Sequence, residues 1–311
     1  MHPYGFRTLI STLAITALVT TNNLAGAVAN APLTAEELQA FVDAAQSSVR
    51  TGQGTISENY WRIKSNGGKL ELNRIYKVAY DGPRFKAVRD TDYLKNENGN
   101  ADLSYHPEEA VSFDGEKVVV FEVNLRTATT GDLTSGTAGR VCKTVRPFAH
   151  AQGCAASSAV LAASKVGVTR RDGPSIVGSE DVDGNETLVR EWSDVHMVGN
   201  TEKALIIREW MVPTKGFSVA RKRVWTAGEG GENKTVLATI DYSLAQIDGV
   251  WIAARATQKN YTNGVETSGS IVSTDSDFKF NAPISAAQLA VVIPSGTTVY
   301  DELLDAEYIT P

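Results

Sequence analysis

Histidine and cysteine are scarce in this sequence, four and two in 311 residues, and positive charge is in deficit, with 30 Lys and Arg against 36 Asp and Glu. The shortage of histidine restricts nucleophilic chemistry, because a Ser or Cys nucleophile needs a base within reach. Beyond the first residues only His106, His150 and His196 are on offer, and no Gly-x-Ser-x-Gly elbow accompanies them. Phosphate loop, paired-glycine dinucleotide fingerprint and His-Glu-x-x-His are missing too, so no cofactor and no catalytic residue is expected. The net charge of −6 gives no advantage from counterion release on nucleic acid. The densest positive region, Arg140, Lys143, Arg146, Arg170 and Arg171, reads as a solvated loop. Long apolar runs are lacking as well. The stretch from Leu9 to Val19 falls short of the roughly 20 residues that a membrane span needs, and no later stretch comes closer.

What is present begins with a leader. Arg7, the apolar stretch behind it and small residues at Ala25-Gly26-Ala27 and Ala29-Asn30-Ala31 predict a signal peptide over 1–31, cleaved after Ala27 or Ala31. The expected product is exported to the periplasm or beyond and has no transmembrane span. About 280 residues would remain, read here as a single domain, 32–311. In that compartment Cys142 and Cys154, both in VCKTVRPFAHAQGC, are expected to form a disulfide. His150 inside the loop invites a metal reading, but a structural zinc needs four ligands and no second Cys/His cluster exists, so no metal is expected.

Thr34 with Glu37 matches a capping box, and Leu38, Phe41, Val42 and Ala45 recur at helical spacing, which predicts a helix ending near Gly52. Strand patterns follow: Leu72, Tyr76, Val78 and Tyr80 share one face with Arg74 as the exception, and Phe85 and Ala87 continue on the return strand. Asp-Gly recurs at Asp81, Asp114, Asp172, Asp183 and Asp248, the strongest short-range hairpin signal. It suits Asp248 best, Asp81 and Asp114 well, and the middle two less. Helices between strands are few, so the expected fold is mainly β (α+β). It is a large curved antiparallel sheet, a half-open barrel, whose concave face is covered by the N-terminal helix and a short helical insertion. The Gly-, Ser- and Ala-rich stretch at about 128–184 reads as that insertion, pinned by the disulfide.

Carboxylate pairs at Glu108-Glu109, Asp181 with Asp183, and Asp275 with Asp277 could serve a glycosidase or calcium. They sit in hydrophilic turns, and the EF-hand spacing is absent around Asp181. Asn185, Asn233 and Asn260 open short glycosylation patterns. Trp61, Trp192, Trp210, Trp225 and Trp251 all fall in strand-like segments, most beside Arg62, Arg190, Arg208 or Arg223. They suit cross-strand packing or the lining of a cavity.

The leader, the capped helix and the phrases YKVAYDGPRFKAVRD, FDGEKVVVFE, DGVWIAARATQKNY and IPSGTTVYDE together resemble secreted bacterial proteins of the LolA/LolB-like superfamily. That superfamily includes the periplasmic lipoprotein carrier and the sensor RseB. The resemblance implies a half-barrel whose concave apolar face receives acyl chains, with Tyr76, Val78, Tyr80, Phe85, Ile240 and Tyr242 lining it and the insertion as a lid or rim. The function it implies is a non-enzymatic envelope protein that binds a lipid or an acylated lipoprotein. One alternative is a protein-interaction or sensor module with a self-filled core and an envelope protein partner. A secreted hydrolase is the third reading.

Overall fold

The capping box closes as expected: the Glu37 N–H donates to Thr34 Oγ1 at 3.2 Å, and the Thr34 N–H donates to Glu37 Oε2 at 2.8 Å. In this computed structural model, which describes residues 34–47, 49–91, 94–95, 101–102, 108–133, 168–170, 173–198, 201–226 and 235–311, it opens helix α1 (Ala35–Ser47). The leader, Cys142, Cys154, His106, His150 and the helical candidate between Cys154 and Gly167 lie outside the described residues.

Strands make up most of the rest. The first meander runs through β1 (Thr51–Ile63), β2 (Lys69–Asp81), β3 (Arg84–Thr91), the small side hairpin β4 (Leu94–Lys95) and β5 (Ala101–Asp102), β6 (Glu109–Phe113), β7 (Val118–Glu122) and β8 (Thr127–Gly131). The second runs through β9 (Val168–Arg170), β10 (Ser175–Val182), β11 (Asn185–Val198), β12 (Thr201–Val212), β13 (Ser218–Thr226), β14 (Thr235–Ile247), β15 (Val250–Thr262), β16 (Val265–Thr274) and β17 (Lys279–Phe280). A short helix α2 (Ala286–Leu289) leads to the closing hairpin, β18 (Thr298–Asp301) and β19 (Ala306–Ile309). Thr127–Gly131 and Ser175–Val182, at the two ends of the stretch expected as an insertion, are thus strands of the sheet; 134–167 lies outside the described residues.

The meanders join into one sheet because β1 pairs antiparallel with β16 as well as with β2. From one edge the order is β9 and β10 end to end against β11, then β12 to β16 in sequence, then β1, β2, β3, β6, β7, β8, β18 and β19. Every pairing in it is antiparallel except that of β8 with β18. The sheet is open and curved, a half-open barrel, as expected.

Turn chemistry fixes much of this register. Asp183-Gly184 and Asp248-Gly249 both place two successive residues at positive φ, 52° and 78° in the first pair and 49° and 80° in the second, which is the twist a two-residue hairpin needs. The Asp183 turn is therefore as good a hairpin as the Asp248 turn, contrary to the ranking from sequence. A register shift between Ile176 and Gly178 breaks the alternation of β10 and hides it. Asn263-Gly264, at 51° and 77°, makes a third such turn that the search for Asp-Gly passed over.

The two faces differ in what covers them. The concave face holds the main core: Ile56, Tyr76, Tyr80, Phe85, Val111 and Val118 are wholly buried together with Val272, Phe278 and Phe280. Helix α1 seats Leu38 and Val42 on Met211 at the far end of the same face, and Phe41 stacks on Phe217 at 5.2 Å between centroids. On the convex face the C-terminal segment covers β6 to β8, with Val291, Ile293 and Val299 against Ala110, Phe121 and Ala128. Trp61 lies on this outer face across Gly269, its direct partner on β16. A Cβ at Gly269 would overlap the indole ring and the Gln258 carbonyl.

Candidate ligand-binding face

All six residues expected to line a cavity meet on the concave face. Tyr76, Val78, Tyr80, Phe85 and Ile240 are buried in one apolar cluster, and Tyr242 packs half-buried against it. Strand alternation puts them there: Tyr80 pairs with Phe85, Val78 with Ala87, and Phe85 with Phe113, so one face of three strands is apolar in register. The Phe85 and Phe113 rings sit 5.9 Å apart, and Phe278 and Phe280, 5.1 Å apart, enter from beyond β16. At this end the chain's own side chains fill the interior. The two phenylalanines were missed because only Phe280 stands in a strand, and that one is two residues long, although their alternation in FKF was a usable signal.

Further along the face the apolar rows give way to paired charges, which the sequence reading did not identify. On β1 and β2, Glu58 Oε2 accepts from Tyr76 Oη at 2.8 Å and from Arg74 Nη1 at 3.0 Å. Burial pushes the Tyr76 hydroxyl up, and the Glu58 charge pushes it further, so it stays a donor. On β3 and β6, Arg89 Nη2 lies 3.5 Å from Glu109 Oε1. On β11 to β13, Glu209 accepts from Arg190 Nε and Nη2 at 3.0 and 2.7 Å, and Lys222 Nζ lies 3.1 Å away. Burial alone would raise the Glu209 carboxyl, but Lys222 and Arg190 outweigh it and hold it at about 2. Arg190 and Lys222 also face the Trp192 ring at 5.3 and 5.6 Å, and Trp192 Nε1 donates to Asp194 Oδ2. The signal available in the sequence was phase: Glu58 alternates with Ile56, and Glu209 with Ile207 and Met211, on the buried side.

Between these charged groups runs a strip of the same face in which Ile207 is buried and Val224 and Ala238 are only partly buried. Ile207 pairs with Val224, Val224 with Ala238, and Ala238 with Asn260. Gln258 donates to Asn260 at 2.8 Å and Asn260 to Ser268 at 3.1 Å, so the polar side chains beside the strip bond to one another.

The other candidates serve turns and strand ends. Asp181 Oδ1 accepts from the Gly184 N–H, and Asn185 Nδ2 donates to the Val182 and Asp183 carbonyls. Asp275 and Asp277 accept from Ser57 and Thr55. Glu109 turns into the interior while Glu108 is exposed. His196 is on β11. Among the described residues no cluster of three or more His, Cys, Asp or Glu is placed to hold a metal ion. None of their helices is long and apolar enough to cross a membrane. The tryptophans pack against cations: Arg208 lies 5.9 Å from the Trp210 ring on its own strand and 5.6 Å from that of Trp225 on the next, and Lys69 rather than Arg62 covers Trp61 at 5.0 Å.

The strand order and the curved face set the terms for comparison. A LolA superfamily protein from Nitrosomonas europaea aligns over 84% of this chain and 99% of its own, at 12% identity and a TM-score of 0.45. A DUF1329 family protein from Desulfovibrio piger aligns over 81% and 96%, at 11% identity and 0.41. The lipoprotein LppX of Mycobacterium tuberculosis aligns over 81% and 96%, at 10% identity and 0.25. No family model and no curated protein matches the chain. The chemistry of the face is therefore read from its own residues.

Proposed function

We propose that this chain is a non-enzymatic binding protein of the cell envelope, and that its concave face takes the acyl part of a lipid or acylated ligand. The observation that carries the reading is the strip beyond the packed core. Tyr242, Val224 and Ala238 share the face of Tyr76 and Ile240, are only partly buried, and are flanked by polar groups already bonded to one another. An apolar chain laid there gains about 25 cal/mol for each Å² removed from water and leaves few hydrogen bonds broken. The expected leader supports export. The closed end, where Tyr80 and Phe85 are wholly buried, favours a second reading: a self-filled interaction or sensor module.

Native mass spectrometry of the purified protein, followed by solvent extraction and lipid analysis, separates the two. A co-purifying acyl species that disappears in Val224→Arg and Tyr242→Arg, with circular dichroism unchanged, is the expected result. A clean apoprotein that also fails to take up a fluorescent fatty acid would leave the self-filled module.

A further inference from the structure

The closing hairpin combines three properties found together nowhere else among the described residues. It is an open edge, since among the described residues β19 pairs only with β18, and all four of its residues are exposed. It is apolar where it meets solvent: Leu303 is 51% exposed, Leu304 72%, Tyr308 47% and Ile309 69%. It is also acidic, for Asp301, Glu302, Asp305 and Glu307 stand here and no Lys or Arg follows Lys279 in the sequence. Arg126 meets β18 through its carbonyl at Thr298, the end away from Leu303 and Leu304.

The ladder shows which backbone groups are open. The Thr310 N–H donates to the Thr297 carbonyl at 2.9 Å, in the register that pairs Val299 with Tyr308 and Asp301 with Ala306. Antiparallel residues alternate between facing the partner and facing away. Glu307 and Ile309 therefore turn their N–H and C=O groups outward, and their side chains share one face. The opposite edge is different: it is split between β9 and β10, with a register shift at Ile176 and Gly178 that bends it away from pairing.

We propose that β19 is a docking edge for an extended segment of a partner protein, one that sets a basic residue beside two successive apolar ones and joins the sheet as an added strand. The charges select this occupant. A second copy would set Glu307 against Glu307 or Ile309 and offer it no cation, and an anionic bilayer would be repelled, whereas Lys or Arg opposite Glu307 and apolar residues beside Ile309 and Tyr308 match both chemistries. The proposal is independent of what the concave face binds.

The test uses the full chain and a blocked heptapeptide, Lys-Val-Val-Lys-Val-Val-Lys, with binding measured by calorimetry and amide exchange. Binding should weaken with salt, protect the Glu307 and Ile309 amides, and fall about tenfold or more in both Ile309→Pro and Glu307→Lys. Proline at 309 removes an outward N–H and leaves the bonds to β18 in place, and thermal unfolding of each variant checks the fold. Equal binding of a glutamate–valine heptapeptide, or unchanged binding by both variants, would overturn the proposal. So would self-association, or attachment to phosphatidylglycerol vesicles, that Ile309→Pro abolishes.

Discussion

Two parts of the concave face are buried by different means. At the closed end the interior is made of Tyr76, Tyr80, Phe85, Val111 and Val118, held by shape and by removal from water. Between β11 and β13 the equivalent positions hold Arg190, Glu209 and Lys222, held by charge and by a defined set of hydrogen bonds. Apolar packing tolerates a slip of one residue poorly only because the whole face would turn outward. A buried ion pair is less tolerant still, since one unpaired charge costs more than the pair contributes. The first region thus supplies stability, and the second fixes register where the face carries fewer large apolar groups.

Removing a side chain from each region sharpens this contrast. Phe85→Ala, in a fully buried site, should lower unfolding free energy by about 3 to 5 kcal/mol in urea titrations, at any pH between 5 and 8. A loss under about 1 kcal/mol would mean that the closed end is not packed as described.

Glu209→Gln should cost on the order of 3 kcal/mol near neutral pH, because Arg190 and Lys222 lose a charged acceptor. Its effect depends on pH, with a definite sign. The native carboxyl titrates at about 2 and the unfolded one near its ordinary 4.5, so below pH 4.5 the unfolded chain takes the proton first. Stability from this group is complete above pH 4.5 and is lost as pH falls towards 2. The wild type should lose stability across that window, and Glu209→Gln should lack that component; parallel acid titrations would refute the assignment.

Gly269→Ala should destabilise by about 1 to 3 kcal/mol through overlap with Trp61. The double variant with Trp61→Ala should show less than the sum of the two losses, as read from a double-mutant cycle of melting curves. Least affected should be Arg221→Ala. Its partner Asp241 is also held by Arg223 and is nearly half-exposed, so a change within about 1 kcal/mol is expected and should shrink further in high salt.

Much of the first region was legible in the sequence, and the reason is local. Period-two alternation in YKVAYDGPRF places Tyr76, Val78, Tyr80 and Phe85 on one face whatever the partner strand, and Asp81-Gly82 supplies the turn. The capping box at Thr34 needs only residues three apart. The charged interior was harder to see, because alternation marks a buried face by its apolar residues and treats Glu58, Arg74 and Glu209 as exceptions. Whether such an exception is paired depends on neighbouring strands. Glu209 meets Lys222 from β13 and Arg190 from β11, a match that exists only once register is set.

Sequence alone therefore determined the mainly β class, the capped helix, the Asp-Gly turns and the apolar half of each strand, since these follow from backbone preference and side-chain period over a few residues. Tertiary structure decided the union of the two meanders through β1 and β16, the packing of Phe278 and Phe280 into the closed end, the parallel seat of β18 on β8, and the open edge at β19. These join residues far apart in the sequence, such as Ile56 and Thr274, and no local propensity encodes which distant strand will be the partner. That choice is made by the burial of a whole face at once.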